Sequence, residues 1–184
     1  MKAIETNLSG CFVIEPSVFE DERGYFFESY SQSKLEEILG YNPVFVQDNQ
    51  SRSNYGVVRG LHLQSGKHAQ AKLIRVLEGK VLDVVVDVRK DSTTFGQWTS
   101  IELSAENKKQ LFVPRGFLHG FSVLSENATF FYKCDNFYNQ ESENGINPLD
   151  PDLGIDWGVN REQIVLSQKD QEAQSFASFK SNLR

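Results

Sequence analysis

Two short stretches of this 184-residue chain carry residue types suited to chemistry: residues 59–64 (RGLHLQ) and 112–121 (FVPRGFLHGF). Each places a histidine, His62 and His119, on a segment with the alternation of a β-strand. Three roles are open to such a pair: holding a metal, moving a proton, or packing with their nitrogens satisfied by backbone. Lys72 and Tyr132 bear on the choice. By strand parity Lys72 shares a face with Ile74 and Val76, which turns its ammonium toward an interior. The plain alternative is a lysine on a mixed edge strand that reaches past its neighbours to water. Tyr132 shares a face with Phe130 and Cys134, and its plain alternative is a core aromatic with the hydroxyl at the rim. An inward lysine among histidines suits stabilisation of a developing oxyanion. A tyrosine opposite a histidine suits proton abstraction next to a carbonyl.

Residues 114–119 (PRGFLH) have the form P-x-G-x-x-H, which resembles the second signature of the cupin superfamily. In metal-binding cupins the first signature supplies H-x-H and then a glutamate. Here His62 is followed by Gln64, and Lys72 stands near the expected acidic ligand. A dication needs deprotonated ligands, and an ammonium among them is repulsive. With three histidines in the whole chain, substitute ligands are scarce. The reading is a pocket without a metal that does acid/base work. Parity turns Arg59 away from the face of His62, and a bulge at Gly60 would re-aim it.

The elements that must position these residues read as short strands. Residues 71–89 hold the cleanest strand–turn–strand pattern, in which Leu82, Val84, Val86 and Val88 form a strictly apolar face. Glu78 and Gly79 read as the loop of a short hairpin. Further strands are expected over 11–15, 25–30, 45–50, 57–64, 95–103, 110–114, 119–124 and 129–134, with turns at 21–24 (DERG) and 54–56. A helix is expected over 31–39, capped by Ser31, stopped by Gly40 and laid over an end or edge of a sheet. After Tyr138, prolines and glycines imply a long ordered loop across the body, and the tail from Leu166 can be helical. Evenly spaced short strands predict an all-β barrel or jelly roll with a few short peripheral helices, as one domain over 1–184.

Composition narrows the function classes. A formal charge of −6 argues against general binding of nucleic acid or anionic membrane. Cys11 and Cys134 match no metal or redox spacing, so reduced thiols are expected. The first residues lack a signal-peptide pattern and no apolar run approaches ~18 residues, which gives a soluble, cytoplasmic reading.

The chain as a whole resembles the dTDP-4-dehydrorhamnose 3,5-epimerase family of cupin-fold sugar-nucleotide epimerases. The resemblance is carried by residues 18–29 (VFEDERGYFFES), 45–51 (FVQDNQS), 57–64, 70–98, 103–125, 132–138 (YKCDNFY), 149–157 (LDPDLGIDW) and 166–170 (LSQKD). It implies a cupin-type double-stranded β-helix and a reaction without cofactor or metal. In it His62 is the general base with Asp170 as its carboxylate partner, Tyr132 the general acid, and Lys72 the stabiliser of the enolate oxygen beside His119. It also implies substrate contacts at Arg23, Glu28, Gln47, Asp48, Asn49, Arg59, Tyr138, Glu143 and Lys169. The implied ligand is a dTDP-linked 4-keto-6-deoxy sugar, inverted at C3 and C5. The implied assembly is a homodimer that exchanges its N-terminal strands within residues 18–30. Pro148 stands where rhamnose-pathway members often carry tryptophan, and no proline follows Asp170 closely. Two alternatives therefore stand beside this reading: an epimerase of one carbon, and a non-catalytic sugar-nucleotide-binding cupin.

Overall fold

The computed structural model describes residues 1–182. Within them, β1 (Lys2–Glu5), β2 (Phe12–Glu15), β10 (Gln110–Val113), β7 (Lys72–Glu78), β12 (Asn127–Cys134) and β5 (Gln47–Asn54) form one antiparallel sheet in that order. A second sheet runs β13 (Glu143–Gly145), β6 (Val58–Gln64), β11 (Phe117–Val123), β8 (Lys80–Asp87) and β9 (Trp98–Ser104). The facing sides enclose a core of Val13, Ile74, Val76, Val81, Val85, Phe121 and Phe130, among others. This is the two-sheet jelly roll that the strand spacing predicts.

Residues 71–89 are not a hairpin. β7 and β8 lie in different sheets, and Gly79 carries the chain from one to the other. The backbone groups at this corner are taken by other segments: Lys80 N–H donates to Ser125 Oγ, Leu124 N–H to the Lys80 carbonyl and Ala105 N–H to that of Gly79. Gly79 is required there, with φ at +75° and a Cβ that would meet the Asn127 carbonyl at 2.1 Å. A local glycine signal specifies a turn but not the partner of the strand that leaves it.

The DERG turn joins β3 (Val18–Asp21) to β4 (Gly24–Phe27) in a separate two-stranded ribbon. Helix α1 (Gln32–Leu39) ends on Gly40 in the left-handed region as expected, but Ser31 makes no side-chain cap bond. Its hydroxyl pairs with Ser33 instead. Leu35 packs with Ile14, Leu73 and Phe112, so α1 covers the outer face of the six-stranded sheet rather than its end. Burying that one side chain contributes on the order of 2 kcal/mol.

The long segment after Tyr138 does lie across the body, with β13 and two short 3₁₀ turns within it. Trp157, Leu153 and Ile146 pack on Val84 and Val86 of β8 and on Val88 just beyond it. The strictly apolar face of β8 is thus covered by this strap, while the face bearing Asp83 looks into the sandwich. Trp157 Nε1–H donates to the Pro148 carbonyl and Ser122 Oγ–H to that of Trp157, which pins the strap down. The strap then forms a parallel bridge between Val165 and Val57. Two short helices follow, α2 (Gln168–Gln171) and α3 (Phe176–Asn182), where the sequence suggested a helical tail. No helix among the described residues is long and apolar enough to cross a membrane.

Candidate active site

A cavity of about 640 Å³ opens between the sheets. Asn49, Arg59, His62, Lys72, His119, Tyr132, Lys169 and Asp170 line it, with Phe121 and Phe130 as apolar wall. β6, β7, β11 and β12 each deliver a side chain by the parity read from sequence. His62 and His119 are direct cross-strand partners, as are Cys134 and Lys72. One residue is inserted in β6 between Arg59 and His62 relative to β11, a bulge spanning Gly60. Here a glycine is obligatory, with φ at +128° and an added Cβ only 2.6 Å from Gly120 Cα. The bulge brings Arg59 to the same cavity as His62, with its Nε–H held by Ser53 Oγ at 3.0 Å.

His62 Nε2 lies 2.6 Å from Asp170 Oδ1. An ionised carboxylate accepts, so Nε2 carries the proton and Nδ1 is left with its lone pair. Burial alone would raise the Asp170 carboxyl, but bonds from His62, Ser167 and the Gly60 backbone hold it below the usual carboxylate range. Ser167 caps α2 by accepting the Asp170 N–H, which fixes the aspartate in the first turn.

A second pair lies deeper. His119 Nε2 is 2.9 and 3.0 Å from the two oxygens of Asp83, whose side chain is fully buried. Burial pushes the Asp83 carboxyl up, and His119 and Lys72 pull against that rise. Asp83 was not singled out in the sequence. The strictly apolar face of β8 was the stronger signal; the other, inward face carries two carboxylates, Asp83 and Asp87, and Asp87 is taken by Arg89.

Burial pulls the Lys72 ammonium below its ordinary range, against the nearby Cys134, Asp83 and Glu143. Tyr132 is pushed up by burial to about 12. A phenol in that range keeps its proton until a strong base asks for it. Lys72 Nζ lies 5.8 Å from the Tyr132 ring centre.

A recess of about 400 Å³ adjoins the cavity, sharing His62, Lys169 and Asp170 and adding Tyr138 and Glu143. Lys169 Nζ meets Glu143 at 2.6 Å and the Tyr138 hydroxyl donates to Glu143 at 2.8 Å. Burial would raise Glu143, but these two donors keep it low. Gln47 borders the cavity through Asn49, to which it donates at 3.1 Å. The remaining three sequence candidates lie elsewhere. Asp48 is on the other face of the six-stranded sheet, paired with Lys133 at 3.0 Å. Arg23 pairs with Asp21 in the exposed ribbon, and Glu28 pairs with Lys34 at 2.8 Å. Among the described residues no group of three or more His, Cys, Asp or Glu is arranged to hold a metal ion.

A jelly roll whose cavity gathers a carboxylate-backed imidazole, an ammonium and a buried phenol defines an acid/base site on a cupin-type scaffold. Residues 5–178 match the family model of dTDP-4-dehydrorhamnose 3,5-epimerase. The dTDP-4-dehydrorhamnose 3,5-epimerase of Salmonella typhimurium is 51% identical over 173 residues, covering 94% of each chain. The crystal structure of that enzyme from Elizabethkingia anophelis matches with a TM-score of 0.94 at 60% identity, covering 97% of both chains. The dTDP-6-deoxy-D-glucose-3,5-epimerase of Legionella pneumophila, solved with dTDP-4-keto-L-rhamnose, matches at 0.90 and 50% identity over 95% of this chain and 92% of that one. The chain belongs to the dTDP-4-dehydrorhamnose 3,5-epimerase family, as the sequence resemblance implied.

Proposed function

We propose that this protein is a dTDP-4-dehydrorhamnose 3,5-epimerase that converts dTDP-4-dehydro-6-deoxy-D-glucose to dTDP-4-dehydro-L-rhamnose. The observation that carries this reading is the 2.6 Å His62–Asp170 pair in one cavity with Lys72 and Tyr132. The C4 ketone of the substrate acidifies the hydrogens on C3 and C5. His62 Nδ1 removes one of them, and Asp170 stabilises the imidazolium that forms. The electrons move onto the ketone oxygen, where Lys72 and His119 meet the enolate charge. Tyr132 returns a proton to the carbon from the opposite side and is recharged by solvent, while His62 gives up the proton that it took. Repetition at the second carbon completes the conversion, and no step calls for a cofactor.

Arg59 and Lys169 are the cations placed to meet a diphosphate, Arg59 with a fixed fork of donors. The β3–β4 ribbon bears the cross-strand partners Phe19 and Phe26 on one face and Tyr25 on the other, all at 60–70% exposure, apolar surface that suits a second copy of the chain. In this reading the protein is a single-domain homodimer, and Arg23 and Glu28, remote from their own cavity, serve the site of the other subunit. The protein works in the cytoplasm, on a nucleotide sugar rather than on nucleic acid or membrane. The test is turnover in D2O: deuterium at both C3 and C5 of the product is expected. Label at one carbon makes it a single-site epimerase, and no label removes the epimerase reading.

A further inference from the structure

His62 and Asp170 meet at 2.6 Å although 108 residues of chain separate them. The helix that carries Asp170, α2, has four residues and is too short to hold itself in place. Whatever ties α2 to β6 therefore sets the distance on which the pair depends. The strap supplies that tie. Gly145 stands opposite His62 in the β13–β6 register, and the main chains of Ile146 and Leu61 exchange two bonds, at 3.0 and 3.2 Å. Contact with the ring is close: a Cβ added at Gly145 would meet the Leu61 carbonyl oxygen at 2.9 Å and His62 Cδ2 at 3.2 Å. That carbon is bonded to Nε2, the nitrogen that faces Asp170.

Asn147 comes next, with bonds from both its main chain and its side chain. Its main-chain N–H donates to the Gln174 carbonyl at 3.0 Å, and its carbonyl accepts from Asp150 N–H at 3.1 Å. Leu149 N–H, which can only donate, meets Asn147 Oδ1 at 2.9 Å. The amide is thereby oriented, and Nδ2–H donates to the Gln171 carbonyl, which can only accept, at 3.0 Å. Gln171 is the last residue of α2 and follows Asp170 directly. The path from His62 to Asp170 then crosses only the Leu61–Ile146 pairing and this one side-chain bond. Pro148 bars the Asn147 backbone from the helical region, and its own carbonyl is held by Trp157 Nε1–H at 2.8 Å. We propose that Asn147 is a positioning residue, which clamps α2 to the strap and so sets the distance between His62 Nε2 and Asp170 Oδ1. The inference rests on the epimerase reading above, in which His62 is the base. The other tie from the strap to α2 is the Glu143–Lys169 ion pair, whose lysine is 61% exposed. It opens when Lys169 turns to a diphosphate, and Asn147 holds α2 in that state.

One near-isosteric substitution reverses the clamp. In Asn147→Asp the carboxylate still accepts from Leu149 but turns an oxygen without a hydrogen on the Gln171 carbonyl. The experiment compares this variant and Asn147→Ala with the unmodified protein by two readouts. The first is proton NMR of the imidazole N–H groups after labelling histidine with heavy nitrogen, the His62 signal being identified by its loss in His62→Asn. A short bond to a carboxylate places that signal at low field. In Asn147→Asp it should move upfield or be lost to exchange, while the signal of His119, held by Asp83, stays where it is. The second readout is turnover of the 4-keto sugar nucleotide in D2O. For Asn147→Asp a kcat lower by about 10–100-fold is expected, the usual result of misplacing a reacting group, with KM within about threefold. Asn147→Ala loses the bond without opposing two oxygens and should lose about 3–10-fold. An unmoved His62 signal overturns the proposal, as does a raised KM with unchanged kcat. Loss of both histidine signals together with the thermal transition assigns Asn147 to the fold as a whole, and that also overturns it. Deuterium in the wild-type product tests the epimerase reading separately, because the histidine signals are recorded without substrate.

Discussion

The cavity holds two histidine–carboxylate pairs built from the same atoms and placed in different surroundings. His62 has a side chain 31% exposed, toward the cavity, and its aspartate arrives from α2, 108 residues further on. His119 is 7% exposed, and its aspartate comes from the neighbouring strand, 36 residues back. The first carboxylate is held below its ordinary range by several donors, whereas the second is pushed above it by burial. The outer pair is therefore set to keep its charge while a proton comes and goes. The inner pair is suited to holding geometry behind the ketone oxygen. An identical motif takes opposite tasks according to how much water and how many donors surround the carboxylate.

The difference is broken most directly by removing the base. His62→Asn is expected to lower kcat by about 10²–10⁴-fold and abolish deuterium exchange in both substrate and product, the usual span for a general base. Asp170→Asn should approach that loss, since an amide can present the wrong group to Nε2 and reverse the tautomer. At the inner pair, Asp83→Asn and His119→Ala should cost less, about 10–10²-fold, with exchange at C3 and C5 falling together. If the inner pair proves the costlier to lose, the division of labour drawn here is wrong.

Stability sharpens the same contrast, with opposite signs. A carboxyl whose native pKa is lowered, as in Asp170, stabilises the fold above its unfolded value and loses that contribution as pH falls through the native value. A carboxyl whose native pKa is raised, as in Asp83, favours the fold below its unfolded value and loses that advantage as pH rises through the native one. Near neutral pH, Asp170→Asn should destabilise by about 1–3 kcal/mol, the cost of losing hydrogen bonds to a charged group. Asp83→Asn should leave the melting temperature unchanged or raise it. Melts from about pH 3 to about pH 8 test both, the Asp170 contribution fading at the acid end and that of Asp83 on the way up.

The pH profile separates the other two groups. Tyr132 at about 12 cannot produce an alkaline limb in the usual assay range. A limb below the ordinary lysine range belongs to Lys72, and Lys72→Arg should move it upward. The smallest effect expected is for Ser167→Ala, which removes the cap behind Asp170: about 1 kcal/mol of local stability and a few-fold loss of kcat. No comparable cap supports Asp83, so its pair should not respond, as amide protection around β8 would report.

Much of this was legible in the sequence, for identifiable reasons. Period-two alternation put Lys72, His119 and Tyr132 on inward faces, and Gly60 marked the bulge that turns Arg59. Asp83 was hidden because β8 is buried on both sides, so that polar against apolar alternation no longer separates outside from inside. The hairpin at residues 71–89 failed because turn residues report local curvature, whereas the mates of β7 lie 35 to 62 residues further on and those of β8 lie 12 to 42 residues further on. β13, with sequence Glu-Asn-Gly, has no strand propensity and exists because the edge of β6 was free to pair. Asp170 came from the family resemblance, as no spacing rule links it to His62.

The bridge between Val57 and Val165 sets when the site comes into being. Every strand of the six-stranded sheet, and all of β6, β8, β9 and β11, is made before the strap and α2 leave the ribosome. A nascent chain can thus assemble a sandwich with Lys72, His119 and Tyr132 in place while His62 still lacks its carboxylate. Catalytic competence follows docking of the tail by the Val57–Val165 pairing. In refolding, the return of activity should then trail the return of β-sheet signal, with the segment from Val165 to Asp170 acting as the timer.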